Sequence, residues 1–254
     1  MRRSALLLLA PVLALGALCA SADVQAAKSK KIDPCAGAKI WTTTSPYLPL
    51  ALVRGTSISR PRGECDKEYW RPGGHFTSVD ASGQPVGVAT WVETAGFDGL
   101  KRTSGREGVG LRVQGESWKA PPSSAFEADR ETRRAFDAFY VHLAKLHPTA
   151  VTFFHAKTKT TGAPTTYAAA SGRALVIGYL DDHERWQVAY VDKQKAAKTK
   201  EPFHVRAVFD LNGDERPEVV VFLREEDLGY DVVLSPSRGG RRYRQVAENP
   251  DDGP

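Results

Sequence analysis

The chain has 254 residues, of which 41% are hydrophobic and 26% charged, and its formal net charge is +5 at pH 7. A mature chain of this size is long enough for one large domain or two small ones with a core that needs no disulfide staples. The positive surplus favours contact with anionic surfaces, but it is too small for the charge density of a nucleic-acid-binding protein.

The N-terminus has the pattern of a secretory signal peptide over residues 1–22. Arg2 and Arg3 precede an apolar run centred on 6–9, and small residues at 20–22 form an A-x-A-like cleavage site. Further small residues allow cleavage as late as residue 27, and loss of the two arginines lowers the net charge to +3. The apolar run is shorter than a membrane span, and no later segment is apolar enough. We therefore expect an exported protein, periplasmic or extracellular, without a membrane span.

Composition sets three further boundaries. Residues 23–34 are predicted to be a disordered basic start, residues 35–248 a single globular domain and residues 249–254 a disordered tail.

Once Cys19 has left with the signal peptide, Cys35 and Cys65 remain, and an even pair in an exported protein predicts one disulfide. It would close a loop of about 30 residues and stabilise the fold by about 3–4 kcal/mol on the loop-entropy model. Two free buried thiols are the alternative.

Short strands and loops are predicted for residues 35–120, which prolines interrupt repeatedly. Segments 86–93 and 108–113 are predicted to be strands that pair across the glycine-rich loop between them. A helix is predicted over 123–147, with a serine cap at its start and Pro148 after its end. Its apolar stripe at helical spacing comprises Phe126, Phe136, Phe139, Tyr140, Leu143 and Leu146. The stripe indicates a core-facing helix, and a ligand groove is the alternative.

Residues 173–247 are predicted to form an antiparallel meander of short strands joined by polar turns. The predicted strands are 173–180, 186–191, 203–209, 217–223, 230–234 and 242–246. The predicted fold class is therefore β-rich α+β, with one long amphipathic helix and an antiparallel C-terminal meander. A single propeller-blade-like sheet is one form that this meander could take.

The segment 210–218, D-L-N-G-D-E-R-P-E, carries oxygen ligands at alternate positions and precedes the apolar run 219–223. The side-chain oxygens are those of Asp210, Asn212, Asp214 and Glu218. The carbonyl of Arg216 fills the gap in this series, and such a series gathers hard ligands around one calcium ion. An EF-hand is excluded, because it requires Gly at the sixth position and an acid at the twelfth, where this chain has Glu215 and Val221.

From Val208 to Phe222 the chain resembles the D-x-[DN]-x-D-G-x-x-[DE] turn of FG-GAP and VCBS repeats, the blade units of integrin-type β-propellers. The resemblance implies that the four side chains and the Arg216 carbonyl bind a structural calcium ion in a turn between adjacent strands. Propellers repeat this turn, whereas this chain has it once, so a whole propeller is not expected. The family usually has Gly where this chain has Glu215. At positive φ this difference costs about 1 kcal/mol and weakens calcium binding.

A metal-free hairpin is the alternative interpretation of this loop. In that case the Asp and Asn side chains cap the backbone amides of their own turn. In the calcium-bound interpretation, the ion would relieve the mutual repulsion of three carboxylates packed in one turn.

No other segment indicates a chemistry. The sequence lacks G-x-S-x-G and S-x-x-K nucleophile patterns, phosphate loops and H-E-x-x-H, and its histidines stand singly. We therefore predict a non-enzymatic binding or accessory module. Its partner would be a protein or an anionic envelope polymer. The lysine run 193–200 favours a solvated loop, with a grip on such a polymer as the alternative. The alternative is an exported hydrolase assembled from distant residues, which predicts a cleft with paired carboxylates or a His beside an acid.

Overall fold

Antiparallel strands make up most of the structure, a computed structural model that describes residues 37–43, 49–61, 72–94, 97–122, 124–157, 161–193, 201–225 and 228–248. Within these ranges, the antiparallel sheets and one α-helix confirm the β-rich α+β class at this coarse level. The predicted signal peptide, the basic start, the disulfide between Cys35 and Cys65 and the C-terminal tail lie outside the described residues.

No helix in the described ranges is long and apolar enough to cross a membrane.

The N-terminal part of the described chain forms a first sheet of seven strands. They are β1 (Lys39–Thr43), β2 (Pro49–Arg54), β3 (Ser57–Ser59), β4 (His75–Val79), β5 (Pro85–Thr94), β6 (Phe97–Gly105) and β7 (Leu111–Gln114). Their order across the sheet is β3-β2-β1-β7-β4-β5-β6. The predicted pairing of 86–93 with 108–113 is wrong, because β5 pairs with β4 and β6, whereas β7 pairs with β1 and β4. Strand β6 follows β5 after two residues, and such a short connection places consecutive strands side by side.

The remaining strands form two further sheets. The second sheet contains β8 (Ala125–Phe126), β9 (Ala150–His155), β10 (Thr166–Ser171), β11 (Leu175–Leu180) and β12 (Trp186–Asp192), in the order β12-β11-β10-β9-β8. The third sheet contains β13 (Phe203–Phe209), β14 (Glu218–Glu225), β15 (Leu228–Pro236) and β16 (Tyr243–Glu248), in sequential order. The predicted meander over 173–247 is thus divided between two sheets. Its first two strands join the second sheet, because β11 pairs with the alanine-rich β10, which the sequence pattern did not reveal.

The helix α1 (Arg130–Ala144) begins later than the predicted residue 123. Asp129 is its N-cap, and its carboxylate accepts the N–H of Thr132 at 2.8 Å. The residues before this cap, 125–126, pair instead with β9 as an edge strand. Phe136 and Tyr140 are fully buried against the second sheet, whereas Leu146, beyond the end of the helix, is 48% exposed. The helix is therefore core-facing, as its stripe predicts, but shorter than predicted.

The third sheet is the central layer of the molecule. Along β14 successive side chains point to opposite faces. Val219 and Val221 pack with residues of the second sheet, whereas Val220 packs with residues of the first. Strand β15 does the same, since Val232 and Val233 belong to these two cores in turn. Burial on both faces explains why 219–223 is an unbroken apolar run instead of an alternation.

Candidate functional site

The acidic turn, residues 210–217, connects β13 to β14 at one end of the central sheet. Asp210 is buried and organises the turn through its carboxylate. Its Oδ1 accepts the N–H groups of Asn212, Gly213 and Asp214, and its Oδ2 accepts that of Glu215 at 2.7 Å. Four backbone donors on one carboxylate define the path of the chain here, and an apolar side chain at this position would leave them unpaired.

The next two oxygen-bearing side chains also bond within the turn. Asn212 Oδ1 accepts the N–H of Asp214 at 3.0 Å, and Asp214 Oδ1 accepts the N–H of Arg216 at 3.0 Å. The guanidinium of Arg216 reaches the other Asp214 oxygen through Nε, at 3.1 Å, and Nη2, at 2.5 Å. A fixed positive charge thus lies beside Asp214 within the turn itself.

Glu218 closes the turn from the first position of β14 and is completely buried. Its Oε2 accepts the N–H of Leu211 at 2.9 Å, and its Oε1 accepts the hydroxyl of Ser235 at 3.0 Å and the side-chain amide of Asn212 at 3.4 Å. The two ends of the turn are therefore joined through this carboxylate, and β15 is tied to them through Ser235.

Two residues of the turn have left-handed backbone conformations, Gly213 with φ 79° and Glu215 with φ 64°. Glu215 stands at the position where FG-GAP and VCBS turns usually have Gly. A side chain at such a φ is strained by about 1 kcal/mol relative to Gly. Four hydrogen bonds from backbone N–H groups to Asp210 hold the turn in this strained conformation, and one of these N–H groups is that of Glu215 itself.

The acidic turn contacts all three sheets. Asn212 Nδ2 donates to the carbonyl of Thr56, between β2 and β3, at 3.1 Å. Lys157, just after β9, donates its N–H to the carbonyl of Glu215 at 3.0 Å. Toward the central sheet, Arg216 Nη1 donates to the carbonyl of Ser237, just after β15, at 3.0 Å, and the buried Tyr243 hydroxyl donates to the carbonyl of Pro217 at 3.0 Å. Sequence patterns did not indicate these partners, because each is distant along the chain and ordinary in its own segment.

Burial dominates the electrostatics of the turn. It raises the pKa of Asp210 above its ordinary value, against the opposing effect of the backbone amides of Glu215 and Gly213. It raises the pKa of Glu218 well above its ordinary value, and the negative charges of Asp214 and Asp210 add to that rise. The turn therefore holds carboxylates whose ionised forms are disfavoured by burial and by each other.

The donor chemistry of the turn fits a calcium ion, because three carboxylates, one amide oxygen and a backbone carbonyl are hard oxygen ligands. Their side-chain oxygens point at backbone amides of the turn, at Arg216 and at Ser235. Across the described part of the chain, no group of three or more His, Cys, Asp or Glu side chains is arranged to hold a metal ion. The hydrogen bonds present are those of a hairpin that caps its own backbone.

Two clefts flank the acidic turn. The larger, here called the turn cleft, has a volume of about 450 Å³, and its lining includes Lys39, Val53, Trp118, Lys119, Asn212 and Glu215. The second cleft has a volume of about 180 Å³, and its lining includes Ser124, His155, Lys157, Asp210, Glu215 and Pro217. The turn is thus both a junction between the sheets and the shared wall of two concave surfaces.

The carboxylates that line these clefts are already engaged. Asp210 accepts four amides, and Glu215 Oε1 lies 3.7 Å from Lys157 Nζ. His155 stacks on Phe126, with ring centroids 4.1 Å apart and planes 4° from parallel. These contacts favour a role for this surface in binding over a role in proton transfer.

Histidine–acid pairs occur elsewhere on the described surface. His75 Nδ1 lies 2.8 Å from Glu116, and His147 Nδ1 lies 3.0 Å from Asp137. All four side chains are well exposed, and none of them lines the turn cleft or the second cleft. Neither pair therefore supplies, in these two clefts, the His–acid arrangement that the hydrolase alternative predicts.

Comparison with protein-family models, curated proteins and solved structures finds no match to this chain.

Proposed function

We propose that this chain is an exported, non-enzymatic binding or accessory module of the periplasm or cell surface, in which the acidic turn has a structural role. One observation carries the proposal: the turn bonds to Thr56 beside the first sheet, to Lys157 beside the second and to Ser237 beside the third. These bonds come from the Asn212 amide, the Glu215 carbonyl and the Arg216 guanidinium, whereas the carboxylates of Asp210 and Glu218 hold the turn itself in shape. The sequence pattern of residues 1–22 supports export.

We further propose that the turn binds one calcium ion through the side chains of Asp210, Asn212, Asp214 and Glu218 and the carbonyl of Arg216. The residue types support this proposal, as does the resemblance to FG-GAP and VCBS turns. The raised pKa values of Asp210 and Glu218 also support it, because buried, mutually repelling carboxylates are stabilised in their ionised form by a nearby cation. When bound, the ion would supply charge neutralisation and no reaction chemistry.

We also propose that the third sheet is blade-like. The sequential antiparallel order of β13, β14, β15 and β16 supports this, and so does the position of the acidic turn between the first two strands. The other two sheets carry no such turn in their described residues, so the proposal concerns this single sheet.

A thermal melt of the mature protein in EDTA and then in millimolar calcium tests the ion proposal. Saturation at about 100 times Kd adds about 2.7 kcal/mol to the free energy of unfolding. For a domain of this size that corresponds to a rise in Tm of about 5–10 °C. The rise should vanish in Asp214→Ala and persist in Asp181→Ala, a matched control in the exposed turn before β12.

Equal melting temperatures with and without calcium would overturn the ion proposal and leave the turn as a metal-free junction. N-terminal sequencing of the protein recovered outside the cytoplasm tests export separately. A start between residues 23 and 28 is expected, and an uncleaved N-terminus would contradict it.

A further inference from the structure

The turn cleft has the size and composition of a small-ligand site. Its volume of about 450 Å³ lies within the range of about 300–1,000 Å³ typical of ligand pockets. It is walled by the acidic turn on one side, by Lys39 and Val53 on β1 and β2 on another, and by the segment 118–121 on a third. The acidic turn is bonded to Thr56 beside β2, and the segment 118–121 is bonded to Gly83 and Gln84 through Trp118 and Pro121.

The indole of Trp118 is held in place at this cleft. Its Nε1 donates to the carbonyl of Gly83 at 2.8 Å, and its ring meets Trp41 edge to face, with centroids 5.1 Å apart. The Nζ of Lys39 lies 5.2 Å from the centroid of the Trp118 ring. A fixed aromatic ring that lines a cleft offers a flat apolar surface with little ordering cost on binding.

The charges of the turn cleft are unequal. Its two acidic side chains are compensated, since Asp210 accepts four backbone amides and Glu215 lies beside Lys157. Lys39 and Lys119 are exposed, and within the described residues neither has a carboxylate at ion-pair distance. Within the described residues, the cleft therefore presents two ammonium groups without a carboxylate partner, one of which, that of Lys39, lies over the indole of Trp118.

We infer that the turn cleft binds an acidic sugar, with the apolar face of the pyranose ring against Trp118 and the anionic group between Lys39 and Lys119. Ammonium groups attract a carboxylate or a phosphate, while the indole covers the C–H face of the ring. This inference rests on the proposed role as a binding module, and it names the class of ligand and the site. It does not require calcium.

Isothermal titration calorimetry of the mature protein in EDTA, with a short oligogalacturonide as the probe, tests this inference. The matched probe is the methyl ester of the same oligomer, which keeps the sugar and removes the charge. Glucose 6-phosphate shows whether a sugar phosphate is taken in place of a sugar carboxylate. The double variant Lys39→Gln/Lys119→Gln removes both ammonium groups, and Lys101→Gln is the control on β6, outside the lining of the cleft.

We expect binding of the acid or the phosphate, affinity at least about tenfold weaker for the double variant and for the methyl ester, and no change in Lys101→Gln. Affinity should also fall as salt is added. Equal binding of acid and ester, or no binding of any probe, would overturn the acidic-sugar inference. Since calcium is absent, its failure leaves the calcium-dependent melt unaffected, and loss of the calcium effect leaves this result intact.

Discussion

Arg216 binds Asp214 within the acidic turn, with two guanidinium nitrogens on the same carboxylate oxygen. Its third nitrogen donates to the carbonyl of Ser237 between β15 and β16. The sequence pattern assigned Arg216 only a carbonyl ligand. In the structure, its side chain neutralises one of the proposed calcium ligands and ties the turn to a neighbouring loop.

Arg216→Gln should lower the free energy of unfolding by about 2 kcal/mol in EDTA, because hydrogen bonds to Asp214 and Ser237 are lost from partly buried groups. Calcium should then stabilise the variant more than the parent, since Asp214 no longer has a guanidinium partner. Urea denaturation with and without calcium measures both effects. The control is Arg185→Gln, whose pair with Asp181 is exposed and worth little. Equal losses in the two variants would contradict a special role for Arg216.

Asp210→Ala should destabilise the fold by about 3 kcal/mol or more, because four backbone N–H groups of the turn lose their acceptor. Asp210→Asn keeps one oxygen and should fall between the parent and the alanine variant. The matched comparison is Asp181→Ala, whose Oδ1 accepts two backbone amides in an exposed turn and whose loss should cost clearly less. Chemical denaturation ranks the variants. Similar losses in the free energy of unfolding at Asp210 and Asp181 would show that the buried acidic turn depends on its carboxylate no more than the exposed turn does.

Glu215→Gly should stabilise the fold by about 0.5–1 kcal/mol, because glycine accepts the φ of 64° without strain. Loss of the exposed pair with Lys157 should subtract little. Glu184→Gly is the matched control, since Glu184 has a φ of 58° in an unrelated turn. Both variants should gain stability in EDTA, and Glu215→Gly alone should bind calcium more tightly. A loss of stability in Glu215→Gly would show that the side chain contributes more than the strain it causes.

Asp231 should make stability depend on pH. Burial raises its pKa from 3.8 to about 6, although the Arg206 guanidinium, an ion-pair partner with Nε 2.9 Å from Oδ1, opposes the rise. Because the folded state binds this proton more tightly than the unfolded state, the contribution is complete below about pH 4 and is lost as the pH rises through about 6. Its full size is about 3 kcal/mol.

Urea denaturation between pH 4 and 7 checks this dependence. Asp231→Asn cannot titrate, so the difference in stability between parent and variant should change across that interval and level off above it. Curves that stay parallel throughout would contradict the raised pKa of Asp231.

Local patterns in the sequence predicted several elements well. The apolar stripe located a core-facing helix, although the cap at Asp129 places its start after the predicted one. The strand-like segments of the C-terminal third are strands in the structure, including the run 219–223. These features depend on neighbouring residues, since helical periodicity, capping and turn chemistry act over a few positions. Pairing between strands depends on residues that are distant in sequence. The partner of β7 and the division of the meander were therefore predicted wrongly.

By itself, the sequence determined the chemistry of the acidic turn, because the order of oxygen-bearing residues from Asp210 to Glu218 is a local property. Only the tertiary structure decided what the turn contacts, since Asn212 meets Thr56 across 156 positions of sequence and Tyr243 reaches Pro217 across 26. It also decided that Trp118, Lys39 and Lys119 line one cleft with the turn. Such contacts arise from the packing of three sheets, and that packing depends on the complementarity of whole faces.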